Sequence, residues 1–277
     1  MALSIQSNAA ATVIRNQLNR TNDGLAVALE RLGTGFRINS AKDDAAGLQI
    51  ATRLAAQVVG QETAMSNAAN ANAMLKTAEG AFDEMTNIAY RMKELATQGA
   101  NGTNATGEYT ALGNEFTALN DELTNIMTNT SFGAGTILLS GGKLAAAVTF
   151  QIGASAAETL DVDISTEIGD VDTAIAGFTG LADQADSSTT MGEIDDLITA
   201  IGAARAALGA SMNRLDHTIN NLSNMSENTS TAKSLLMDAD FARETSNMTK
   251  QQLLMNSGIS VLTTANTTTQ MVAQLLR

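Results

Sequence analysis

The sequence predicts a mainly α protein: a long antiparallel coiled-coil helical bundle with a small β-hairpin region, both termini pairing as helices. Three observations lead there. Apolar residues recur in alternating steps of three and four along most of the chain, which is the spacing of a helix seam. Not one of the 277 residues is proline, so no ring interrupts a helix. Aromatic residues make up only 3%, and a core of Leu, Ile, Val, Met and many Ala suits thin, closely packed helices.

The first helix is written in Ala11, Ile14, Leu18, Thr21, Leu25, Ala28 and Leu32, a heptad seam for a partner helix. Gly33 and Gly35 end it, because glycine supplies the left-handed backbone that closes a helix C-terminus. Asn39-Ser40 then offers an N-cap, with Asp43 and Asp44 in a first turn that favours negative charge, so a second helix is expected from near Ala41. It continues to about Gln98 with Ile50, Leu54, Val58, Met65, Leu75, Phe82, Met85, Met92 and Leu95 on its buried side. The run from Gly99 to Asn104 breaks it, and Leu112, Phe116, Leu119, Leu123 and Ile126 carry a third helix back.

From about Ser131 to Ser165 the period changes to two. Ile137-Leu138-Leu139, Val148 to Ile152 and Leu160 to Ile164 are set among Gly133, Gly135, Gly141 and Gly142, and short hairpin strands fit best. Residues 169–192, rich in Gly, Asp, Ser and Thr, read as a loop. The strongest repeat follows, Ile201, Leu208, Leu215, Leu222, Thr229 and Leu236 at every seventh residue, with Ile198, Met212 and Ile219 adjoining. The closing segment keeps the rhythm with Leu254, Gly258, Leu262, Ala265, Thr269, Val272 and Leu276. So narrow an apolar stripe buries too little to offset the ordering entropy of a lone helix, and the end helices are expected to order with partners.

Charge divides the chain. Residues 108–197 hold fifteen acids against one base, Lys143, while the net charge of the whole is -13. Like charge at that density favours solvent over close packing of one such region on another, so the middle reads as an outer surface.

Composition also removes chemistry. With no cysteine there is no disulfide, thiolate metal site or cysteine nucleophile. His217 is the only histidine, so no multi-histidine zinc site can be assembled, and it reads as part of a solvated helix face. The carboxylates and bases of Arg37 to Asp44 are accounted for by capping and ion pairing. No catalytic, cofactor or metal residue is expected, and no nucleic-acid partner. No apolar run is long enough to span a membrane, and the first residues show no cleavable secretory signal.

Two strings at opposite ends carry a resemblance. Gly33-Thr34-Gly35-Phe36-Arg37-Ile38-Asn39-Ser40-Ala41-Lys42-Asp43-Asp44-Ala45-Ala46-Gly47-Leu48 resembles the N-terminal signature of bacterial flagellins. Asp238 to Ala242, Ser246 to Gln251, Gly258, Val261-Leu262, Ala265-Asn266 and Leu275-Leu276-Arg277 resemble the C-terminal region of the same family. The match covers about residues 1–130 and 195–277, and the short stretch between them resembles a form with little or no outer surface domain.

The resemblance implies a structural subunit, not an enzyme, that polymerises into the helical tubular filament of the bacterial flagellum, the motility propeller. Residues 1–40 and 237–277 would be inner-tube helices that order on assembly, through Ile14, Leu18, Leu25, Leu32, Leu254, Leu262, Val272 and Leu276. Residues 41–130 and 193–236 would form the outer-tube bundle, and residues 131–192 a short hairpin and loop region facing outward. Arg37, Asn39, Lys42, Asp43 and Asp44 would form an inter-helix turn and a subunit contact.

By the same resemblance the subunit is secreted unfolded through a flagellar type III export channel, extends the filament at its tip, and meets an export chaperone, the filament cap and hook-junction proteins. Chains free of cysteine and proline suit that route, since disulfides and slow prolyl isomerisation would hinder threading and refolding. Arg91, Leu95 and Glu115 occupy the positions that Toll-like receptor 5 grips, and Val272, Leu275, Leu276 and Arg277 resemble the end sensed by NAIP-type receptors. Tyr90, Thr97 and Gly99 depart from the family's commonest pattern there, and Asn266 to Gln270 replaces a hydrophobic-proline pair. The resemblance implies no cofactor and no membrane insertion. A hook–filament junction adaptor and a closed, soluble coiled-coil oligomer are the competing structural readings. A zinc-protease insert, carried by some flagellins, has neither room nor histidines here.

Overall fold

The structure, a computed structural model, describes residues 8–275, without the side chains of Thr269 and residues 272–275. Leu276 and the side chains of Val272 and Thr269, placed on the closing seam by the sequence, lie outside that description. The elements run α1 (Ala9–Thr34), α2 (Ala45–Gly99), α3 (Thr106–Asn129), β1 (Ser131–Phe132), β2 (Thr136–Ile137), a 3-10 turn (Lys143–Ala145), β3 (Val148–Gln151), β4 (Thr159–Val162), α4 (Ser165–Ala176), α5 (Gln184–Met237) and α6 (Phe241–Leu275). The chain divides into two compact units, residues 57–227 and residues 1–56 with 228–277. The boundary falls inside α2 and α5, several turns beyond the glycine-marked end of α1.

In residues 57–227, α2 and α5 run antiparallel, with Asn72 Nδ2 donating to Asp216 Oδ1 at 2.7 Å and Arg205 paired with Asp83 at 3.1 Å. Lys93 is paired with Asp195 further along. Between them lie Leu75, Phe82, Met85 and Met92 from α2 and Ile194, Leu197, Ile201, Leu208 and Leu215 from α5, all buried. Ala68, Ala78, Ala89 and Ala96 are fully buried as well; such small side chains let the helix axes approach. α3 adds Phe116, Leu123 and Met127 to the same core. Ile50, expected on the buried side of α2, is instead 50% exposed, and Ala51 takes the inner position. A seam built on alanine is easily misplaced by a residue when large apolar side chains are followed.

Both hairpins form as expected. β1 pairs antiparallel with β2, and β3 with β4 in the register Val148↔Val162 to Gln151↔Thr159. Gly133 and Gly135, at φ of +67° and +78°, turn the first hairpin, a backbone region that glycine alone enters freely. In β4 the alternation is plain: Leu160 and Val162 are buried, Thr159 and Asp161 exposed. Leu138, Leu139 and Leu144 anchor the connecting segment to the helical core.

The expected loop at 169–192 is a correction. It contains most of α4, whose Ile168, Val171 and Ile175 recur at helical spacing and are buried, and the first turns of α5. There Ser187 and Thr190, both fully buried, occupy seam positions ahead of Ile194 and Leu197. Their hydroxyls donate to the carbonyls of Asp183 at 2.6 Å and Gly180 at 2.7 Å, so two polar residues serve as core. A side-chain carbon at Gly99 would lie 2.5 Å from Ser187 Oγ, which makes this crossing one that only small residues permit.

In the other unit α1 and α6 pair antiparallel. Arg31 lies opposite Glu244, Gly24 opposite Gln251 and Leu18 opposite Gly258, and Asn8 Nδ2 donates to the carbonyl of Ala265 at 3.2 Å. Asn8 also caps α1, its Oδ1 accepting from Ala11 N at 3.0 Å. On α1 the seam is the expected one: Thr21 and Ala28 are buried, and Ala11, Ile14, Leu18, Leu25 and Leu32 half-buried. On α6 the half-buried residues are Met248, Gln251, Met255, Gly258, Leu262 and Ala265. Leu254, expected on this seam, is 44% exposed. Stepping back from Gly258 by three reaches Met255, so the seam passes beside Leu254.

Candidate assembly and recognition surfaces

Three sets of residues stand out as functional candidates, and the first is the turn between α1 and α2. Gly35, at φ +78°, ends α1 with its N–H donating to the Arg31 carbonyl at 2.9 Å. The chain then pairs with the segment joining α5 to α6: Phe36 bridges Asp238, Arg37 N donates to the Met237 carbonyl at 2.6 Å, and Ala239 N donates to Gly35 O at 2.9 Å. The Arg37 guanidinium donates to the Leu236 carbonyl at 2.7 Å. Two carbonyls left open at the end of α5 are thereby satisfied, one by a positive charge, which suits a helix C-terminus.

Asp43 organises the rest of the turn. One carboxylate oxygen accepts from Ser40 N at 2.9 Å, Asn39 N at 3.1 Å and Ser40 Oγ at 3.1 Å. The backbone donors, Ser40 first and then Asn39, hold its carboxyl below the usual aspartate range, with smaller help from the Ser40 hydroxyl and the Arg31 charge. Asp44 Oδ1 accepts from Gly47 N at 2.8 Å and so caps α2, which begins at Ala45 and not near Ala41. The sequence placed that cap on Asn39-Ser40; those residues donate to Asp43 instead. Asn39 Nδ2 also donates to Phe36 O at 3.2 Å, Lys42 is exposed, and Ile38 is buried under the turn at 1% exposure.

The second set is the apolar surface of the terminal helix pair. Val13 and Leu29 on α1, and Leu253, Leu254, Ile259 and Met271 on α6, are all exposed. Phe241 begins α6 exposed, and Leu235 near the end of α5 is 83% exposed. Apart from Leu254, the sequence reading missed these because it followed one seam per helix. The signal was there in the large apolar residues off that seam, which a helix packing on a single partner does not require.

The third set surrounds Arg91. Its guanidinium donates to Glu115 Oε1 at 2.7 and 3.0 Å and to Glu94 Oε2 at 2.8 Å, and these hydrogen bonds, those to Glu115 foremost, raise its pKa. Arg91 and Glu115 are exposed and joined. Leu95 is not beside them on the surface: it is 2% exposed and packs in the core. An open groove of about 500 Å³ runs past Tyr90, Arg91, Glu94 and Gln98 to Asn101.

Among the described residues no group of His, Cys, Asp and Glu could hold a metal ion, and no helix is long and apolar enough to cross a membrane. The bacterial flagellin N-terminal helical region matches residues 5–143, and the bacterial flagellin C-terminal helical region residues 191–276. A flagellin of Halalkalibacterium halodurans is 37% identical over 251 residues, covering 90% of this chain and 91% of its own. Polar flagellin F of Vibrio parahaemolyticus is 33% identical with both chains covered in full, over 381 aligned positions against 277 residues here, so that relative carries sequence this chain lacks. A proposed flagellar hook-associated protein from Vibrio parahaemolyticus superposes with a TM-score of 0.56 at 19% identity, over 70% of this chain and 99% of that one, a likeness of fold alone.

Proposed function

Because the chain belongs to the bacterial flagellin family and is a structural protein, not an enzyme, we propose that its terminal helices drive growth of the extracellular flagellar filament by ordering at its tip. The chain is a subunit of that filament. The supporting observation is the apolar surface of the α1–α6 pair: side chains such as Val13 at 68% and Leu253 at 65% exposure face water in the isolated chain. Exposed apolar surface on both helices of one pair calls for further helices to cover it. Residues 1–40 and 237–277 then form the inner tube, residues 41–130 and 193–236 the outer bundle, and residues 131–192 the outward face, carrying eight acids against the single base Lys143. The Arg37–Asp44 turn lies where these regions join and is a subunit contact as well as a helix connection.

Seeded assembly tests this reading. Full-length protein given sheared filament fragments is expected to extend them as long tubes of uniform width under negative-stain microscopy. Variants lacking residues 1–36 or 240–277 should keep the helical signal of the bundle and fail to extend. Efficient polymerisation by both truncations would refute the role of the ends. Incorporation limited to one ring per filament would move the chain to the hook-junction adaptor.

Export and recognition follow from the same membership. We infer passage, unfolded, through the flagellar type III channel with a chaperone's help, supported by the absence of cysteine and proline. Cap and hook-junction proteins are its neighbours at the filament ends. In hosts, Toll-like receptor 5 is read as meeting Arg91 and Glu115 beside the open groove, while Leu95 shapes that surface from beneath. Arg91→Glu is expected to weaken receptor signalling by monomer in a reporter cell while its helical content is unchanged; signalling at the wild-type level would refute the assignment. The NAIP-type recognition of Val272 and Leu275 to Arg277 concerns side chains outside those described.

A further inference from the structure

Within residues 57–227 a second groove, of about 310 Å³, opens between α2 and the hairpins. Met74 and Leu138 form its floor, Phe132 and Phe150 its walls, and Lys143 stands on its rim. The hairpin is held to α2 by Asn67 Nδ2, which donates to the Gln151 carbonyl at 3.3 Å, and by Ala154 lying on Gly60, where a side-chain carbon would come within 2.7 Å. An exposed apolar residue lies along its α2 side. Val59, 61% exposed, stands eleven residues before the groove's Asn70, about three helical turns and so on the same face of α2.

Lys143 makes the groove distinctive. It is the only base among residues 108–197, where fifteen acids lie, it is exposed, and it has no ion pair among the described residues. In a polymer of one chain the acidic regions of neighbouring copies repel one another. They can come into close contact most favourably where a cation of one meets a carboxylate of the next. Asp121, Asp170 and Asp196 are exposed carboxylates on α3, α4 and α5 without an ion pair among the described residues.

We propose that this groove receives an acidic helix face of a second copy of this chain, with Phe132 and Phe150 covered by its apolar side chains and Lys143 paired with one of its carboxylates. The proposal rests on the filament reading and adds a heterologous contact, the kind that generates open helical growth.

Filaments grown from mixed unlabelled and ¹⁵N-labelled full-length protein, treated with a zero-length carbodiimide, test it. Mass spectrometry is expected to find Lys143 joined to a carboxylate of residues 108–197 on a chain of the other isotope. Lys143→Glu should raise the critical concentration for seeded growth by roughly tenfold or more, while Lys143→Arg stays near wild type; circular dichroism of the monomers checks that both keep their fold. Normal growth of Lys143→Glu would overturn the proposal while leaving the filament reading intact. So would a Lys143 acetylated by an amine reagent as fast in filaments as in monomers, since the groove would then be open to some other acidic ligand. Failure of wild-type protein to extend seeds would defeat the filament reading itself, and this contact with it.

Discussion

Asp43 gathers three donors on one oxygen at the surface, and its protonation state therefore controls the shape of the α1–α2 turn. Its folded pKa is lowered, so its contribution to the turn is present above the ordinary aspartate value of about 3.9 and is lost as pH falls through the depressed folded value. NMR titration of the Asp43 carboxyl should give a midpoint below that ordinary value, with amide exchange at Asn39 and Ser40 accelerating only beneath it. An Asp43 that titrates in the normal range would mean that the turn is held by the Arg37 clasp instead. The neighbouring Gly47 is constrained as tightly: a side-chain carbon there would lie 2.5 Å from Asp44 Oδ2 and 2.8 Å from Ile38 Cδ1, displacing the cap of α2 and the buried residue beneath the turn together.

At the scale of the elements, the α1–α6 pair depends on how closely two thin helices approach. A side-chain carbon at Gly258 would come within 2.7 Å of Leu18 Cδ2. Gly258→Val is therefore expected to cost about 1–3 kcal/mol by overpacking, read as a critical concentration for seeded growth raised by roughly one to two decades. Adding Leu18→Ala should recover part of that loss, because the space it opens is where the new side chain goes. Strictly additive losses would place the two residues apart. The α1 seam was legible in the sequence because Ile14, Leu18, Leu25 and Leu32 mark unbroken heptad spacing around the buried Thr21 and Ala28. On α6 the seam was read correctly at Gly258, Leu262 and Ala265 and missed before them, because Gln251 and Met255 occupy it there while Leu253 and Leu254 sit outside it. The same physics hid the start of α5, where fully buried Ser187 and Thr190 satisfy their hydroxyls on nearby carbonyls and look like loop residues. Of the candidate surfaces, the composition of the Arg37–Asp44 turn was readable and its wiring was not. Which of two adjacent carboxylates caps a helix depends on backbone geometry that residue types do not encode. Leu95 was read correctly as a buried seam residue of α2; the resemblance that groups it with Arg91 and Glu115 aligns positions without saying which side of the helix each one faces.

For the whole molecule the decisive quantity is the distribution of charge. A chain of net charge -13 whose acids concentrate between residues 108 and 197 resists its own polymerisation, and the resistance acts over the distance that salt leaves unscreened. Raising ionic strength from about 0.01 M to 0.15 M shortens the Debye length from about 30 Å to about 8 Å. Repulsion between acidic faces several residues apart is then largely removed, whereas a desolvated contact such as Lys143 with a carboxylate is weakened far less. Elongation from seeds, followed by light scattering, is therefore expected to accelerate across that range, and the dependence should steepen in Lys143→Glu, which replaces the only base among residues 108–197 by a further acid. Elongation that slows as salt rises would mean that exposed ion pairs between copies hold the filament together more than the acidic field opposes it. The apolar surface of the terminal helices, which salt does not weaken, would then not be the principal driving force.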